Sequence, residues 1–490
     1  MSVKQGAGVR VNQQVQASGL LVDCNFVHAV REAGYLSVAT ALAELVDNSI
    51  QAGATEVAIT VERDEPESSP TIVVEDNGAG MSRQELEACL KFGGSSRFDD
   101  RASFGRFGMG LPAASLSQTR RVEVRAWRRS GSEYEVVLDV DQVMAGGTTL
   151  SARRVGPRRS ESGCSVVWRS CDRIPYRRLG WLDRLLRADL GRIYRRFITH
   201  GTLRLTLNGR DVKAHDPMLL DTKIENSSAE RAFEPLQFEL DTYTGVPGWV
   251  TVNFAVLPVA QWHMLDNVTK RRTGIVGGPT VSVLRAGREI ASGWHFMGSK
   301  RRENYDDWWR CEIEFDPVLD EHFGITINKQ GIRPSERLRE ALEPALEPVA
   351  RLLNGRVRQA FEEVKFREAA SISCRIAADA ESSLPPIEGL GRRSGGINYS
   401  IGTAQLPVES MLATRFEGNN LHVDLNIDHP AFRALYQPLQ STADSSSGDV
   451  RTALELLILA FARSTIVSPD GAQELLQVWS KTYGRMLLKA

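Results

Sequence analysis

The segment Ala41–Ala54, ALAELVDNSIQAGA, makes two demands on one helix. Leu42, Leu45, Val46 and Ile50 recur at the spacing of a buried stripe, which predicts a helix from about Val38 to Ala52 that stops at Gly53. Glu44, Asp47, Asn48 and Gln51 recur at spacings of three and four and add two acids and two amides. A solvated face usually mixes in Lys or Arg, whereas no basic residue occurs between Ala39 and Ala54. A carboxylate and an amide one turn apart can jointly hold a hydrated divalent cation. The row therefore reads either as an ordinary wet face or as the lining of a site.

Three downstream stretches bear on that choice. In EDNGAGM, Glu75–Met81, Asp76 ends an apolar strand, and Gly78 and Gly80 bracket a tight turn. A carboxylate there can accept a hydrogen bond from an exocyclic amine such as that of adenine, and the glycines let a ring approach the backbone. The plain alternative is an Asp-Asn-Gly turn. In FGRFGMGLPAASLSQ, Phe104–Gln118, Gly105, Gly108 and Gly110 precede a run that can begin a helix. Free N–H groups at a glycine-rich helix start bind phosphate. The spacing is neither the Rossmann fingerprint nor a Walker loop, because no strand leads into it and no Gly-Lys-Ser/Thr occurs. In ESGCSVVW, Glu161–Trp168, a small polar residue after Gly163 either contacts the same purine or simply opens a strand.

Taken in order, these elements are a Glu-x-x-x-Asn helix, an Asp-x-Gly-x-Gly turn, a Gly-x-x-Gly-x-Gly loop and a Gly-x-Ser strand. That order resembles the ATP-binding (Bergerat) fold of the GHKL superfamily: gyrase, the ninety-kilodalton heat-shock chaperones, histidine kinases and MutL. The resemblance covers about the first 170 residues. It implies ATP and Mg2+ as ligands, Glu44 as the water-activating base and Asn48 as the magnesium ligand. Asp76 becomes the adenine contact, with Gly80 and Met81 beside it. Lys91 joins the ATP-binding set, and Gly105, Arg106, Phe107, Gly108, Met109 and Gly110 form the phosphate loop and lid hinge. The polar row would then face ATP. The family's fourth motif usually carries Thr after its glycine. This chain has Cys164 there and Ser165 next, and Ser165 is the residue assigned to that contact.

FGITINKQGIRPSERL, Phe323–Leu338, carries a second resemblance. GHL-type ATPases send a lysine from a transducer domain to the terminal phosphate, and Asn328-Lys329-Gln330 is similar to the Asn-Lys-Gln of MORC ATPases. Lys329 would stabilise charge on the transferring phosphate, and Gln330 would orient water. The whole chain most resembles prokaryotic MORC-like ATPases. That resemblance implies an ATP-dependent dimerising clamp acting on DNA in a restriction-like or antiphage defence system, with protein partners from the same operon. It also implies a nucleotide-dependent homodimer, in which an N-terminal arm reaches the second protomer. The competing expectation is a chaperone-like ATPase that remodels a protein partner.

At 490 residues, two to four domains are expected. The fold class is α/β, an α+β sandwich: a Bergerat domain with a mixed sheet and helices on one face, a transducer-type α/β domain, and a small C-terminal helical unit. The expected divisions are a flexible arm over 1–20, the ATP-binding domain over 21–200, the transducer over 201–368, a linker over 369–400 and a C-terminal unit over 401–490. Tyr176–Thr199 reads as one basic amphipathic helix, and Asn208-Gly209 as the turn of a hairpin that opens the second domain. Sixty Lys+Arg against 61 Asp+Glu predict no polyanion partner from net charge alone. Arginines do cluster at 120–129, 153–159 and 177–196, with further basic clusters at 270–272 and 300–302; such clusters either grip DNA phosphates or are balanced by acids on a solvated surface, as the near-zero net charge equally allows. None of the six Cys forms a Cys-x-x-Cys pair, so neither a zinc site nor a disulfide framework is expected. The N-terminus lacks the apolar core of a signal peptide and no apolar run spans a bilayer, which predicts a cytoplasmic protein without membrane contact.

Overall fold

The computed structural model describes residues 23–32, 35, 37–63, 69–93, 109–147, 149–174, 179–242, 245–325, 331–384, 396–441, 445–467, 471–472, 474–477 and 480. The first segments are helices α1 (Asp23–Glu32) and α2 (Val38–Gln51), then strands β1 (Glu56–Arg63) and β2 (Pro70–Asp76). Next come α3 (Arg83–Cys89), α4 (Gly110–Gln118), β3 (Arg121–Trp127), β4 (Ser132–Asp139), α5 (Val140–Met144), β5 (Arg153–Arg158) and β6 (Gly163–Arg169). Helices α6 (Leu179–Ile193) and α7 (Arg195–Thr199) precede β7 (Arg204–Leu207) and β8 (Arg210–Asp211).

These strands make one eight-stranded sheet in the order β5-β4-β3-β6-β2-β1-β7-β8. All its pairs are antiparallel except β1 with β7. Helix α2 starts with a capping box, in which Ser37 and Thr40 exchange side-chain and backbone hydrogen bonds. It ends before Gly53, whose φ of +75° suits glycine. Leu42, Leu45 and Val46 pack with Val57, Ile59, Ile72, Val74, Val124 and Val166 in one core between helices and sheet. The same alternation turns Arg121, Glu123, Arg125 and Glu135 to the other face. There Arg125 and Arg153 both reach Glu135, at 2.9 and 2.5 Å, and Arg121 and Arg169 both reach Glu123 at 3.0 Å.

Two expectations change here. The Asn208-Gly209 hairpin does not open the second domain. Arg204–Leu207 pairs in parallel with Glu56–Ile59, so β7 and β8 extend the first sheet. The turn signal was sound, with φ values of 48° and 71°, but a turn does not say which sheet its strands join. The helix expected over 176–199 breaks at Tyr194, which is fully buried against α2.

The second sheet follows, in the order β10-β11-β14-β12-β13, with β9 also on β11. Its strands are β9 (Glu230–Arg231), β10 (Leu236–Leu240), β11 (Gly248–Val256), β12 (Val281–Arg285), β13 (Arg288–Gly293) and β14 (Trp309–Phe315). Short helices α8 (Val259–Trp262), α9 (Asn267–Thr273) and α10 (Asp320–Phe323) punctuate it. A buried ion network joins α6 and α7 to this sheet. Arg195, 3% exposed, holds Glu289 at 2.5 Å and Glu312 at 2.8 Å, Arg192 adds to Glu289, and Arg196 adds to Glu312.

Helix α11 runs Glu336–Ala380, through residues 369–380 where a linker was expected. Contacts divide the chain into two compact units. Unit one holds the residues up to Leu257 and Asp266–Ala350, and unit two holds Pro258–Leu265 and Arg351 onward. The second unit is not only helical. It carries β15 (Asn398–Ala404), β16 (Leu412–Glu417) and β17 (Asn420–Asn426) in the order β15-β17-β16, followed by α12 (Gln437–Ser441) and α13 (Ser445–Val467). Tyr399 and Ile401 alternate inward, as do Leu421, Val423 and Leu425, onto Leu459 and Ala462 of α13. The Gly, Asn and Asp in these strands are poor strand formers and hide that alternation in the sequence. Among the described residues, no helix is long and apolar enough to cross a membrane.

Arg195→Leu removes the cation shared by two buried carboxylates. Removing one partner of a buried pair costs about 3–5 kcal/mol. We expect a loss of that order in a denaturant titration; an unchanged midpoint would show that the network adds no stability.

Candidate functional site

The end of β2, the turn after it, the second half of α2 and the start of α4 converge. Asp76 is the centre of that convergence. Its Oδ1 accepts from the Gly78 N–H at 2.9 Å and its Oδ2 from the Ser49 hydroxyl at 2.8 Å. Burial pushes its pKa up, opposed by hydrogen bonds from the Gly78 N–H, the Ser49 hydroxyl and the Cys164 N–H. These bonds hold the carboxylate in place at the end of its strand. The turn is anchored by the Ala79 N–H on the Ala52 carbonyl at 2.9 Å. Gly80, at φ +65°, lies so close to the Trp127 carbonyl that a Cβ there would collide with it. Met81 is half-buried against the core, and Lys91 is exposed just beyond α3.

Glu44 is 3% exposed. A Cβ built on Gly110, the first residue of α4, would overlap the Glu44 carboxylate, so the glycine is what lets the loop end reach the acid. Met109 stands at the N-cap of α4, and its side chain makes no capping hydrogen bond. A helix start of this kind can take an anionic phosphate group on its amides, beside Glu44. Asn48, one turn after Glu44, is partly exposed, as a ligand to a solvated cation must be. Among the described residues, no group of three or more His, Cys, Asp or Glu is arranged to hold a metal. A single amide suits Mg2+ carried in on phosphates, because that ion keeps water and substrate oxygens and takes few protein ligands.

Two residues stand elsewhere than the sequence reading put them. Asp47 does not face the cleft with Glu44 and Asn48. It is fully buried, and the Arg288 Nε donates to its Oδ1 at 2.8 Å, with the Tyr194 hydroxyl also 2.8 Å away. Ser165 pairs with Glu75 while Cys164 pairs with Asp76. Strand alternation therefore puts Cys164 on the Asp76 face and Ser165 on the opposite one. The Cys164 thiol is pushed well above its ordinary pKa by burial and by the Asp76 charge, and burial pushes Cys89 up to about 12. Both are neutral S–H groups near pH 7. Gly105, Arg106, Phe107, Gly108, Lys329 and Gln330 lie outside the described residues.

Sequence reasoning missed Ser49, Tyr35, Tyr194 and Arg288. Ser49 follows Asn48 directly, and its fit between the Leu45 carbonyl and Asp76 needed the register of β2 to be known. Tyr35 is buried, and its hydroxyl is held protonated by burial and by the charges of Glu44 and Asp47. Nothing local in the sequence ties Arg288 to Asp47. An open cavity of about 700 Å³ adjoins the end of β2, with Glu56, Glu75, Asp76, Trp127, Arg159 and Arg204 in its walls. Its ionic groups largely pair with acids and bases around them, as in Glu56–Arg204 at 3.8 Å and Glu133–Arg159 at 2.8 Å.

Residues 36–157 match the histidine kinase-, DNA gyrase B- and HSP90-like ATPase family. The chain therefore carries an ATPase domain of the GHKL type. The chain is 30% identical over 79 residues to Protein MICRORCHIDIA 4 and 36% identical over 81 to Protein MICRORCHIDIA 3, both of Arabidopsis thaliana, each match covering 16% of this chain. It is 34% identical over 112 residues, 20% of this chain, to the DNA mismatch repair protein MutL of Shewanella sediminis (strain HAW-EB3). The matched segments span 10%, 14% and 18% of the lengths of MICRORCHIDIA 4, MICRORCHIDIA 3 and MutL.

Gly110→Ala forces a methyl into the Glu44 carboxylate. We expect a folded protein by circular dichroism with ATP turnover reduced about 10²-fold or more, the scale on which a general base acts. Undiminished turnover would mean that Glu44 does not need its present position.

Proposed function

We propose that this chain is an ATP-dependent clamp acting on DNA, in which nucleotide closes two copies and hydrolysis reopens them. The observation that carries the nucleotide part is the convergence of Glu44, Asp76 and the glycine-started α4 around α2. Adenine sits against Asp76, with the Cys164 thiol beside it in place of the family's usual threonine. The phosphates lie over the α4 amides. Glu44 takes the proton from the attacking water as the bond to the terminal phosphate breaks, giving ADP and phosphate. Asn48 holds magnesium, which offsets phosphate charge. Lys329 and Gln330 are assigned to the terminal phosphate and the water by their resemblance to the transducer loop.

The DNA part rests on two supports. The MutL relative is by its name a DNA mismatch repair protein. Most arginines in the sequence clusters are neutralised, as Arg120 is by Asp141, Arg128 by Glu85 and Arg159 by Glu133. On α9, however, exposed Arg271 and Arg272 have no carboxylate partner among the described residues. A role in restriction-like or antiphage defence, with partners from the same operon, extends the resemblance to prokaryotic MORC-like ATPases.

Glu44→Ala is expected to bind ATP near wild-type affinity and to hydrolyse it about 10²- to 10⁴-fold more slowly. Asp76→Asn puts an amide among the Gly78 and Ser49 donors and should weaken binding itself, by about 1–3 kcal/mol. The opposite division between affinity and rate would reverse the two roles. For the clamp, sedimentation with a non-hydrolysable ATP analogue should show a two-fold dimer absent without nucleotide. Co-purifying material should be lost on nuclease treatment. An unchanged mass sinks the clamp, and nuclease-resistant protein clients favour remodelling of a protein partner instead.

A further inference from the structure

The second sheet reaches the helix that carries Glu44 and Asn48 through a buried side chain, Arg288, at the start of β13. Arg288 is 4% exposed, and its Nε donates to Asp47 at 2.8 Å. The Tyr194 hydroxyl sits 2.8 Å from the same Asp47 oxygen and 2.6 Å from the Ala43 carbonyl, so its one proton serves either acceptor. Burial acts to lower the Arg288 pKa, but the Asp47 and Glu44 carboxylates outweigh it and hold the guanidinium charged. Tyr35 faces the same charges, since Glu44, Asp47 and Arg288 all bear on its hydroxyl. The neighbouring Glu289 is tied to Arg192 and Arg195 on α6 and α7. Strand β13 is thus fastened to the first sheet's helices at consecutive residues.

Asp47 lies three residues after Glu44 on α2. A carboxylate stands about 5–6 Å from its helix axis, so a roll of about 10° carries it roughly 1 Å sideways. A misplacement of about 1 Å at a reacting group can lower a rate about 10²-fold. Leu42, Leu45 and Val46 resist tilting of α2 by packing, but apolar contacts are non-directional and define rotation poorly. The Arg288–Asp47 bond is directional and buried, and it fixes that rotation.

We propose that Arg288 is a positioning residue for ATP hydrolysis: by gripping Asp47 it sets the rotation of α2 and with it the aim of Glu44, so turnover in the first sheet's cleft depends on the second sheet. This rests on the ATPase reading above. It differs from a purely stabilising ion pair in what it predicts for rate at constant affinity.

The test uses the full chain with Arg288→Met, Arg288→Lys and the double variant Asp47→Asn/Arg288→Met. ATP affinity is measured by calorimetry and kcat at saturating ATP, at a temperature where each variant is folded. Arg288→Met should keep its ATP Kd within about threefold of wild type and lose about 10²-fold in kcat. Arg288→Lys, which keeps the cation, should recover most of that loss. The double variant removes both buried charges; it should regain thermal stability without regaining kcat. Should Arg288→Met not fold, the double variant alone carries the test. An unchanged kcat in the methionine variant, a kcat that returns together with stability in the double variant, or a parallel loss of affinity and rate would overturn the proposal. A wild-type chain that neither binds nor hydrolyses ATP would overturn the ATPase reading itself, and this proposal with it.

Discussion

Helix α2 is buried over most of its circumference, and its polar residues are divided among partners instead of facing one solvent side. Glu44 meets Gly110 at the start of α4, Asp47 meets Arg288 and Tyr194, and Ser49 meets Asp76. Burying this many polar groups is costly unless each is satisfied. The helix can therefore sit in only one rotation and one depth, and the strand end, the glycine turn and the loop end are arranged around that position. The wide apolar stripe supplies adhesion, while the polar contacts supply geometry.

The chemistry of the cleft follows from the same division. Two donors, the Gly78 amide and the Ser49 hydroxyl, face the half-buried Asp76 carboxylate at 2.9 and 2.8 Å and oppose the rise in its pKa that burial causes. Cys164 stands beside it as a neutral thiol. An acceptor flanked by a weak donor offers a purine an amine acceptor without adding a second charge. Glu44 stands against the start of α4, where the N-cap residue Met109 makes no side-chain cap.

Much of this site was legible because its parts are local. The polar row of α2, the Asp-Asn-Gly turn and the glycine before α4 are contiguous stretches whose residue types announce their backbone needs. Where the sequence misled, the missing information was long-range. Asp47 looked like part of the cleft because helical spacing sees only one helix, and its partner comes 241 positions later. Sequence alone does not say whether Cys164 or Ser165 shares the face of Asp76; the register of β6 on β2 puts Cys164 there. The turn at Asn208-Gly209 is local, but the sheet its strands join is set by pairing with Glu56–Ile59, far earlier in the chain. Whether the arginine clusters were balanced by acids was open in the sequence, because those acids, Glu123, Glu133 and Glu135, sit on neighbouring strands and not beside them in the chain. The C-terminal strands were hidden by weak strand formers.

The central claim is that one cleft, built on α2, holds ATP with its base at Asp76 and its terminal phosphate at Glu44. A structure of the full chain with a non-hydrolysable ATP analogue and magnesium tests it most directly. We expect the adenine amine within hydrogen-bond distance of the Asp76 carboxylate, the phosphates on the first-turn amides of α4, magnesium on Asn48, and Glu44 facing the terminal phosphate. Nucleotide bound on the other face of the sheet, or bound in the cleft with Asp76 and Glu44 both untouched, would contradict it.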